Sequence, residues 1–88
     1  MVLKPLGDAF NGTNEVRLRG TILGGVLISA DSTNDATVLI KNKDDGETIF
    51  SIVVKQPMFA CAPMKCHSVL TATASGTGAK VQLFEWFD

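Results

Sequence analysis

The stretch GGVLISADSTNDATVLIKNKDDGETIFSIVV, residues 24–54, predicts three consecutive β-strands joined by two polar turns. Its three apolar parts are rich in β-branched and aliphatic residues, which is typical of strands. The first connection, ADSTND, contains side chains that hydrogen-bond to a nearby backbone and stabilise tight bends. The second contains the Asp45-Gly46 pair, whose residues tolerate positive φ and favour a hairpin. This stretch therefore indicates an antiparallel sheet.

The flanking sequence continues the strand pattern in both directions. Residues 14–20 alternate between apolar and polar side chains, and residues 21–29 predict a strand that is apolar on both faces. Residues 66–74 and 80–87 predict two further strands around the glycine-rich turn SGTGA, and no segment has a helical period. The sequence therefore predicts an all-β fold of about six strands, a small antiparallel β-sandwich that is either jelly-roll-like or Ig-like.

Length and composition indicate one small domain preceded by an arm. The chain has 88 residues, of which 45% are hydrophobic, and a domain of this size has a modest core and gains stability from a partner subunit. Proline and glycine residues interrupt residues 1–13, which we interpret as an N-terminal arm that is either loose or docked on a neighbouring subunit. Residues 14–88 are predicted to form the single β-sandwich domain.

The charge balance and the hydropathy pattern argue against several classes of protein. The formal net charge is −1, which offers no basic field, so we expect no nucleic-acid partner. The chain has no run of about 18 apolar residues, so we expect no membrane-spanning helix and no membrane partner. The opening MVLKPLGDAF lacks a continuous apolar run and a small-residue cleavage site, so we do not expect a signal peptide.

The segment CAPMKCH, residues 61–67, is the densest group of reactive side chains in the sequence. Structural zinc needs four ligands, commonly in two short pairs, and a second pair is missing. Haem attachment needs a shorter C-x-x-C-H spacing. A cysteine nucleophile would need His67 within reach, but neighbouring positions on a strand point to opposite faces. We therefore predict no metal site, no cofactor, no catalytic residue and no enzyme activity, and we interpret Cys61 and Cys66 as reduced, buried thiols.

The sequence contains more large apolar side chains than one small core needs. Two prolines in residues 55–65 predict an irregular loop, yet this loop is apolar and must be covered. The last strand carries large apolar groups on both faces, and a subunit contact is a natural cover for the second face. The predicted interface anchors, taken from the arm, the loop and the last strand, are Leu6, Phe10, Met58, Phe59, Met64, Phe84 and Trp86.

A characteristic order of segments runs along residues 20–87. The strands GGVLISA and ATVLIKN are followed by a turn ending in DDGET, the strand IFSIVV, an irregular stretch, and the late strands VLTATASG and AKVQLFEW. This order resembles a family of small β-sandwich virion proteins of tailed bacteriophages. The match is degenerate: Asn42 stands where the family commonly has Asp, and Glu47 separates Gly46 from Thr48 in the hairpin.

The resemblance implies a virion structural protein, either a capsid decoration or cement protein or a minor tail component, and it implies no catalytic residues. On this basis we predict a homo-oligomer, with a trimer favoured, whose partner is the major capsid protein or another virion protein. The protein would act in the virion, which is assembled in the host cytoplasm. The alternative is a tail-associated host-recognition or carbohydrate-binding module. An exposed Trp86 beside polar groups would support this alternative. Capsid or tail location, the contacting face and the host stay open.

Overall fold

The computed structural model describes residues 2–87 and contains eight β-strands. They are β1 (Val2–Phe10), β2 (Gly12–Arg17), β3 (Ile22–Ser29), β4 (Ala36–Asn42), β5 (Thr48–Val54), β6 (Met58–Lys65), β7 (Val69–Ser75) and β8 (Lys80–Phe87). Within residues 2–87 there is no helix long and apolar enough to cross a membrane. The all-β prediction is confirmed, whereas the predicted number of strands is too low.

The strands form two antiparallel sheets of four strands each. Sheet I has the order β1-β8-β3-β6, and sheet II has the order β2-β7-β4-β5. The chain is thus a set of nested hairpins, in which β4 pairs with β5, β3 with β6, β2 with β7 and β1 with β8. The nesting places β8, the last strand, between β1 and β3.

The core lies between the sheets and consists of alternating side chains from the inner strands. Its fully buried apolar members are Leu23, Val26, Ile28, Ala36, Val38, Ile40, Leu70, Ala72, Ala74, Val81 and Leu83. The alternation predicted for residues 14–20 is confirmed, because Val16 and Leu18 are buried and Arg17 is exposed. Each large aliphatic side chain buried in this way stabilises the fold by about 1.5–3 kcal/mol.

One charged side chain, Glu85, is buried within this core. Its side chain is only 2% exposed, and its two carboxylate oxygens accept hydrogen bonds from backbone amides of the β2–β3 connection. Arg19 N–H donates to Oε1 over 3.0 Å, and Gly20 N–H donates to Oε2 over 2.7 Å. A buried carboxylate needs such donors, so Glu85 fixes the path of the chain from sheet II to sheet I.

The segment predicted to be an arm is a strand. Residues 2–10 form β1, which pairs with β8 and has Leu3 opposite Trp86. Pro5 fits because one side of an edge strand has no ladder to complete. Gly7 has a φ of 74° and lies where the register with β8 shifts. The prolines and glycines that predicted irregular structure are therefore features of an edge strand.

The loop predicted over residues 55–65 is also largely an edge strand. Met58–Lys65 form β6, which pairs with β3 at the margin of sheet I. Pro63 is accommodated near a register shift between Leu23 and Gly25 of β3. The two strands that the sequence did not predict, β1 and β6, account for the difference between six strands and eight.

Candidate interaction surface

The outer face of sheet I is apolar and aromatic. Leu27 lies between the buried Val26 and Ile28, and Trp86 follows the buried Glu85, so both side chains point away from the core. Leu3 lies opposite Trp86 and Phe59 lies opposite Leu27 on the same outer face. Phe59 is 47% exposed and Leu27 is 38% exposed. We define the aromatic face as Leu3, Leu27, Phe59, Phe84 and Trp86.

Two glycines of β3, Gly24 and Gly25, lie beneath the side chains of the aromatic face. A Cβ atom at Gly24 would lie 2.5 Å from Cδ2 of Leu3 and 2.9 Å from Cβ of Trp86. A Cβ atom at Gly25 would lie 3.0 Å from the ring of Phe59. Because both glycines lack a side chain, Leu3 and Trp86 pack over one and Phe59 packs over the other.

Phe59 and Phe84 hold the aromatic face together across β3. Their ring centroids are 5.5 Å apart and their planes are inclined by 79°, an edge-to-face arrangement. Such a pair contributes about 0.5–1.5 kcal/mol beyond the burial of its area. Since β6 and β8 lie on either side of β3, the contact bridges the position of Gly25. Two rings of the aromatic face therefore pack against each other on the surface of sheet I.

The outer face of sheet II is more polar. The hydroxyl groups of Thr13 and Thr73 are hydrogen-bonded over 2.9 Å between neighbouring strands. Glu15 lies 3.2 Å from the guanidinium of Arg17 and 3.3 Å from the ammonium of Lys43. Exposed polar and charged groups of this kind are well hydrated and resist burial. Of the two outer faces, the aromatic face is the one suited to protein contact.

The structure brings three of the seven predicted interface anchors together. Phe59, Phe84 and Trp86 all belong to the aromatic face. The other four lie on the inner side of sheet I, because Met58 lies opposite the buried Ile28 and the remaining three pack against the core. Those three are Leu6, Phe10 and Met64.

Two members of the aromatic face, Leu3 and Leu27, were not predicted from the sequence. Leu3 lies in a segment that was predicted to be an irregular arm, so no outward-facing side chains were assigned there. Leu27 had a usable signal, since residues 21–29 are apolar on both faces and half of them must point outward. An exposed apolar position in a central strand is a sign of an interaction surface.

The two cysteines have different surroundings. Cys66 is buried, and this burial raises the pKa of its thiol, partly offset by a hydrogen bond from the backbone of Leu23. Cys61 is exposed and lies opposite Gly25 at the edge of sheet I. The prediction of buried thiols is therefore right for Cys66 and wrong for Cys61. Both cysteines are free.

His67 and the β4–β5 turn form a second polar cluster. Nδ1 of His67 lies 2.6 Å from Oδ1 of Asp44, and Nε2 lies 3.8 Å from Oδ2 of Asp45. The possible ligand atoms lie within 4.8 Å of one another, but the carboxylates face different ring nitrogens, and a metal ion binds only one of these. The arrangement fits an ion pair that ties the hairpin turn to the start of β7.

The ion pair shifts the pKa values of His67 and Asp44 in the directions that favour their charged forms. The hydrogen bond to Asp44 raises the pKa of His67 above its ordinary value of 6.5, and the charges of Asp44, Asp45 and Glu47 act in the same direction. The hydrogen bond from His67 lowers the pKa of Asp44 below 3.8. The contribution of His67 is complete below its unfolded pKa and is lost as the pH rises through its folded pKa. The contribution of Asp44 is lost as the pH falls through its own folded pKa.

We predict that His67→Gln lowers stability at acidic pH and leaves it nearly unchanged at basic pH. The loss should be largest between about pH 4 and pH 6.5, where both partners are charged in the folded and unfolded chains. It should be small, because the pair is exposed and screened by salt. Urea unfolding at pH 5 and pH 8 measures the difference, and Asp44→Asn should show the same pattern. Equal losses at both pH values would refute the ion pair.

Comparisons with models of known protein families, with curated proteins and with solved structures give no match. The surfaces of this molecule and the resemblance described for its sequence are the remaining indications of its function. Of those surfaces, the aromatic face groups two exposed large apolar side chains, Leu27 and Phe59, with Phe84 and Trp86.

Proposed function

We propose that this chain is a bacteriophage virion structural protein, a capsid decoration or cement protein that binds the shell through its aromatic face. The observation that carries the proposal is the contrast between the aromatic face of sheet I and the polar outer face of sheet II. Burial of apolar area contributes about 25 cal/mol per Å². Repetition of one contact across a symmetric shell adds avidity to each weak contact.

The nested strand order supports a jelly-roll arrangement within this proposal. Two four-stranded sheets in the orders β1-β8-β3-β6 and β2-β7-β4-β5 fit the double-sheet jelly roll, which occurs in viral capsid and lectin domains. An Ig-like sandwich distributes its strands differently between the sheets. Because one fold hosts many functions, the strand order supports a virion role only together with the aromatic face.

The proposed partner is the major capsid protein or another virion protein, and the proposed site of action is the virion. The resemblance favours a trimer, which competes with the dimer proposed in the next subsection, and sedimentation analysis distinguishes the two. Docking of an N-terminal arm on a neighbouring subunit is not part of the proposal, because β1 belongs to sheet I. The carbohydrate-binding alternative is disfavoured by the setting of Trp86, which packs with Leu3 over Gly24 rather than among polar groups.

Phe59→Ala is expected to weaken binding to capsids by about tenfold, because aromatic anchors at the centre of an interface contribute most of its energy. Phe59 is 47% exposed but contacts Phe84, so the free energy of unfolding should fall by about 1 kcal/mol. Co-sedimentation with capsids purified without this protein measures the affinity, and Thr13→Ala on the outer face of sheet II is the control. Failure of the wild-type chain to bind, or equal binding by Phe59→Ala, would refute the proposal.

A further inference from the structure

Strand β5 is the least protected edge of the sandwich. The four edge strands are β1 and β6 in sheet I and β2 and β5 in sheet II. Native proteins protect such edges with prolines, bulges, charges or short strands. β1 contains Pro5, β6 contains Pro63, and β2 is short and carries Glu15 and Arg17. β5 has the sequence TIFSIVV, without proline, glycine or charge. Its one protective feature is a bulge at Ile49, and residues 50–54 beyond it form a regular edge whose Val53 is 58% exposed.

The hydrogen bonds beside the hairpin identify which backbone groups of β5 face outward. Asn42 exchanges backbone hydrogen bonds with the turn, since its N–H donates to Glu47 O over 2.9 Å and its C=O accepts from Gly46 N–H over 3.0 Å. The next residue, Lys43, instead donates to Val69 O in the direction of β7, over 3.0 Å. Successive residues of a strand point to opposite edges, so alternate residues of β4 from Asn42 backwards face β5.

This alternation assigns the two sides of β5. Ile40 and Val38 face β5, and their partners Phe50 and Ile52 therefore direct their backbone groups towards β4. Ser51 lies between Phe50 and Ile52, and Val53 follows Ile52. The N–H and C=O groups of Ser51 and Val53 therefore point to the open edge of sheet II. Two residues with outward backbone groups are available to pair with another strand.

We propose that β5 pairs in antiparallel register with β5 of a second copy of this chain, about a two-fold axis at Ser51. Each Ser51 N–H then donates to Ser51 C=O of the other copy, and Phe50 lies opposite Ile52 of the other copy. The two copies of sheet II become one continuous sheet of eight strands. This inference does not rest on the proposed virion role, because the aromatic face takes no part in it.

The charges that flank β5 favour this occupant and an antiparallel orientation. Glu47 precedes the strand and Lys55 follows it. Ile49 is the extra residue of a bulge, since Ile40 lies opposite Phe50 and Lys41 lies opposite Thr48, so Glu47 is not in line with residues 50–54. In the two-fold arrangement, the end of β5 that carries Glu47 lies beside the end of the other copy that carries Lys55, and opposite charges across strands are stabilising. Parallel in-register stacking would instead place each charge beside its own kind. Lys55 Nζ is 4.0 Å from Asp35 Oδ1 in an exposed pair, a weak contact that leaves it able to reach a partner.

The test is the molar mass in solution, measured by sedimentation equilibrium over a range of concentrations. Val53→Lys places a charge at the open edge and should raise the dimer dissociation constant at least about tenfold. Thr37→Lys is the matched control, because Thr37 lies opposite Val53 on the same outer face but in the interior strand β4. It should dissociate like the wild-type chain.

A charge-reversal series tests the antiparallel orientation and does not depend on the folding of Val53→Lys. Glu47→Lys and Lys55→Glu lie outside the strand, and each should raise the dissociation constant about fivefold, because each creates two like-charged pairs in a symmetric dimer. The double variant E47K/K55E should restore the wild-type value. A wild-type chain that is monomeric or trimeric, equal effects of Val53→Lys and Thr37→Lys, or no restoration in the double variant would overturn the proposal. Capsid binding by a monomer would refute it and leave the virion role intact.

Discussion

Glu85→Ala is expected to lower the free energy of unfolding by about 3 kcal/mol, the cost of leaving two part-buried donors without their acceptor and of a small cavity. The carboxylate of Glu85 is the acceptor for the backbone N–H groups of Arg19 and Gly20, at 3.0 and 2.7 Å. Its removal takes the shared acceptor away from both amides while the sheets remain in contact. Urea unfolding followed by circular dichroism measures the loss.

Two further variants separate the hydrogen bonds of Glu85 from the general effect of altering β8. Glu85→Gln keeps one carbonyl oxygen, so it should lose about half as much stability as alanine. Gln82→Ala lies on the opposite face of β8 and removes an exposed hydrogen bond to Gly7 O of 2.7 Å, which should cost less than about 1 kcal/mol. Equal stability of Glu85→Ala and Gln82→Ala would contradict the role assigned to the carboxylate.

Gly24→Ala is expected to lower the free energy of unfolding by about 2–3 kcal/mol, because overpacking at a rigid site forces backbone shifts. The added Cβ would lie 2.5 Å from Leu3 Cδ2 and 3.2 Å from the backbone Cα of Trp86. The second contact involves main chain, so β3 and β8 must move apart locally. Trp86 is the only tryptophan, and its fluorescence should report the displacement during urea unfolding.

Gly25→Ala is the matched control for Gly24→Ala. The nearest atoms to its added Cβ belong to the ring of Phe59, at 3.0 Å, and a half-exposed ring can turn aside. The loss of stability should therefore be about 1 kcal/mol, with Trp86 emission unchanged. Both variants should weaken capsid binding, since each disturbs the aromatic face. If Gly24→Ala is as stable as Gly25→Ala and leaves Trp86 emission unchanged, the close packing over Gly24 is wrong.

The inner strands and the hairpin turn were predictable from the sequence because their signals are local. Val38 and Ile40 alternate with Thr37, Leu39 and Lys41, and this pattern predicts β4 from its own residues. The Asp45-Gly46 pair predicts the turn that follows. The edge strands were not predictable, because Pro5 and Pro63 argue against a strand unless one side of it has no partner. The sequence does not show which strands will lie at an edge.

The aromatic face and the buried acid depend on contacts between distant parts of the chain. Phe59 and Phe84 come together only because β6 and β8 flank β3, and no local pattern encodes that order. The alternation of residues 80–87 puts Glu85 on the same face as Val81 and Leu83, but an acid on an apolar face has no local explanation. Its partners, the amides of Arg19 and Gly20, are contributed by a turn at the other end of the sequence.

The position of β8 between β1 and β3 has a consequence for the order of folding. The β4–β5 hairpin closes a short loop and can form within microseconds, whereas sheet I needs strands from opposite ends of the sequence, a non-local pairing that is slow. On the ribosome, β3 can pair with β6 first, but sheet I cannot be completed until residues 80–87 have been synthesised. Until then β8 does not cover the aliphatic side chains of β3, and incomplete sheets of this kind are prone to aggregation.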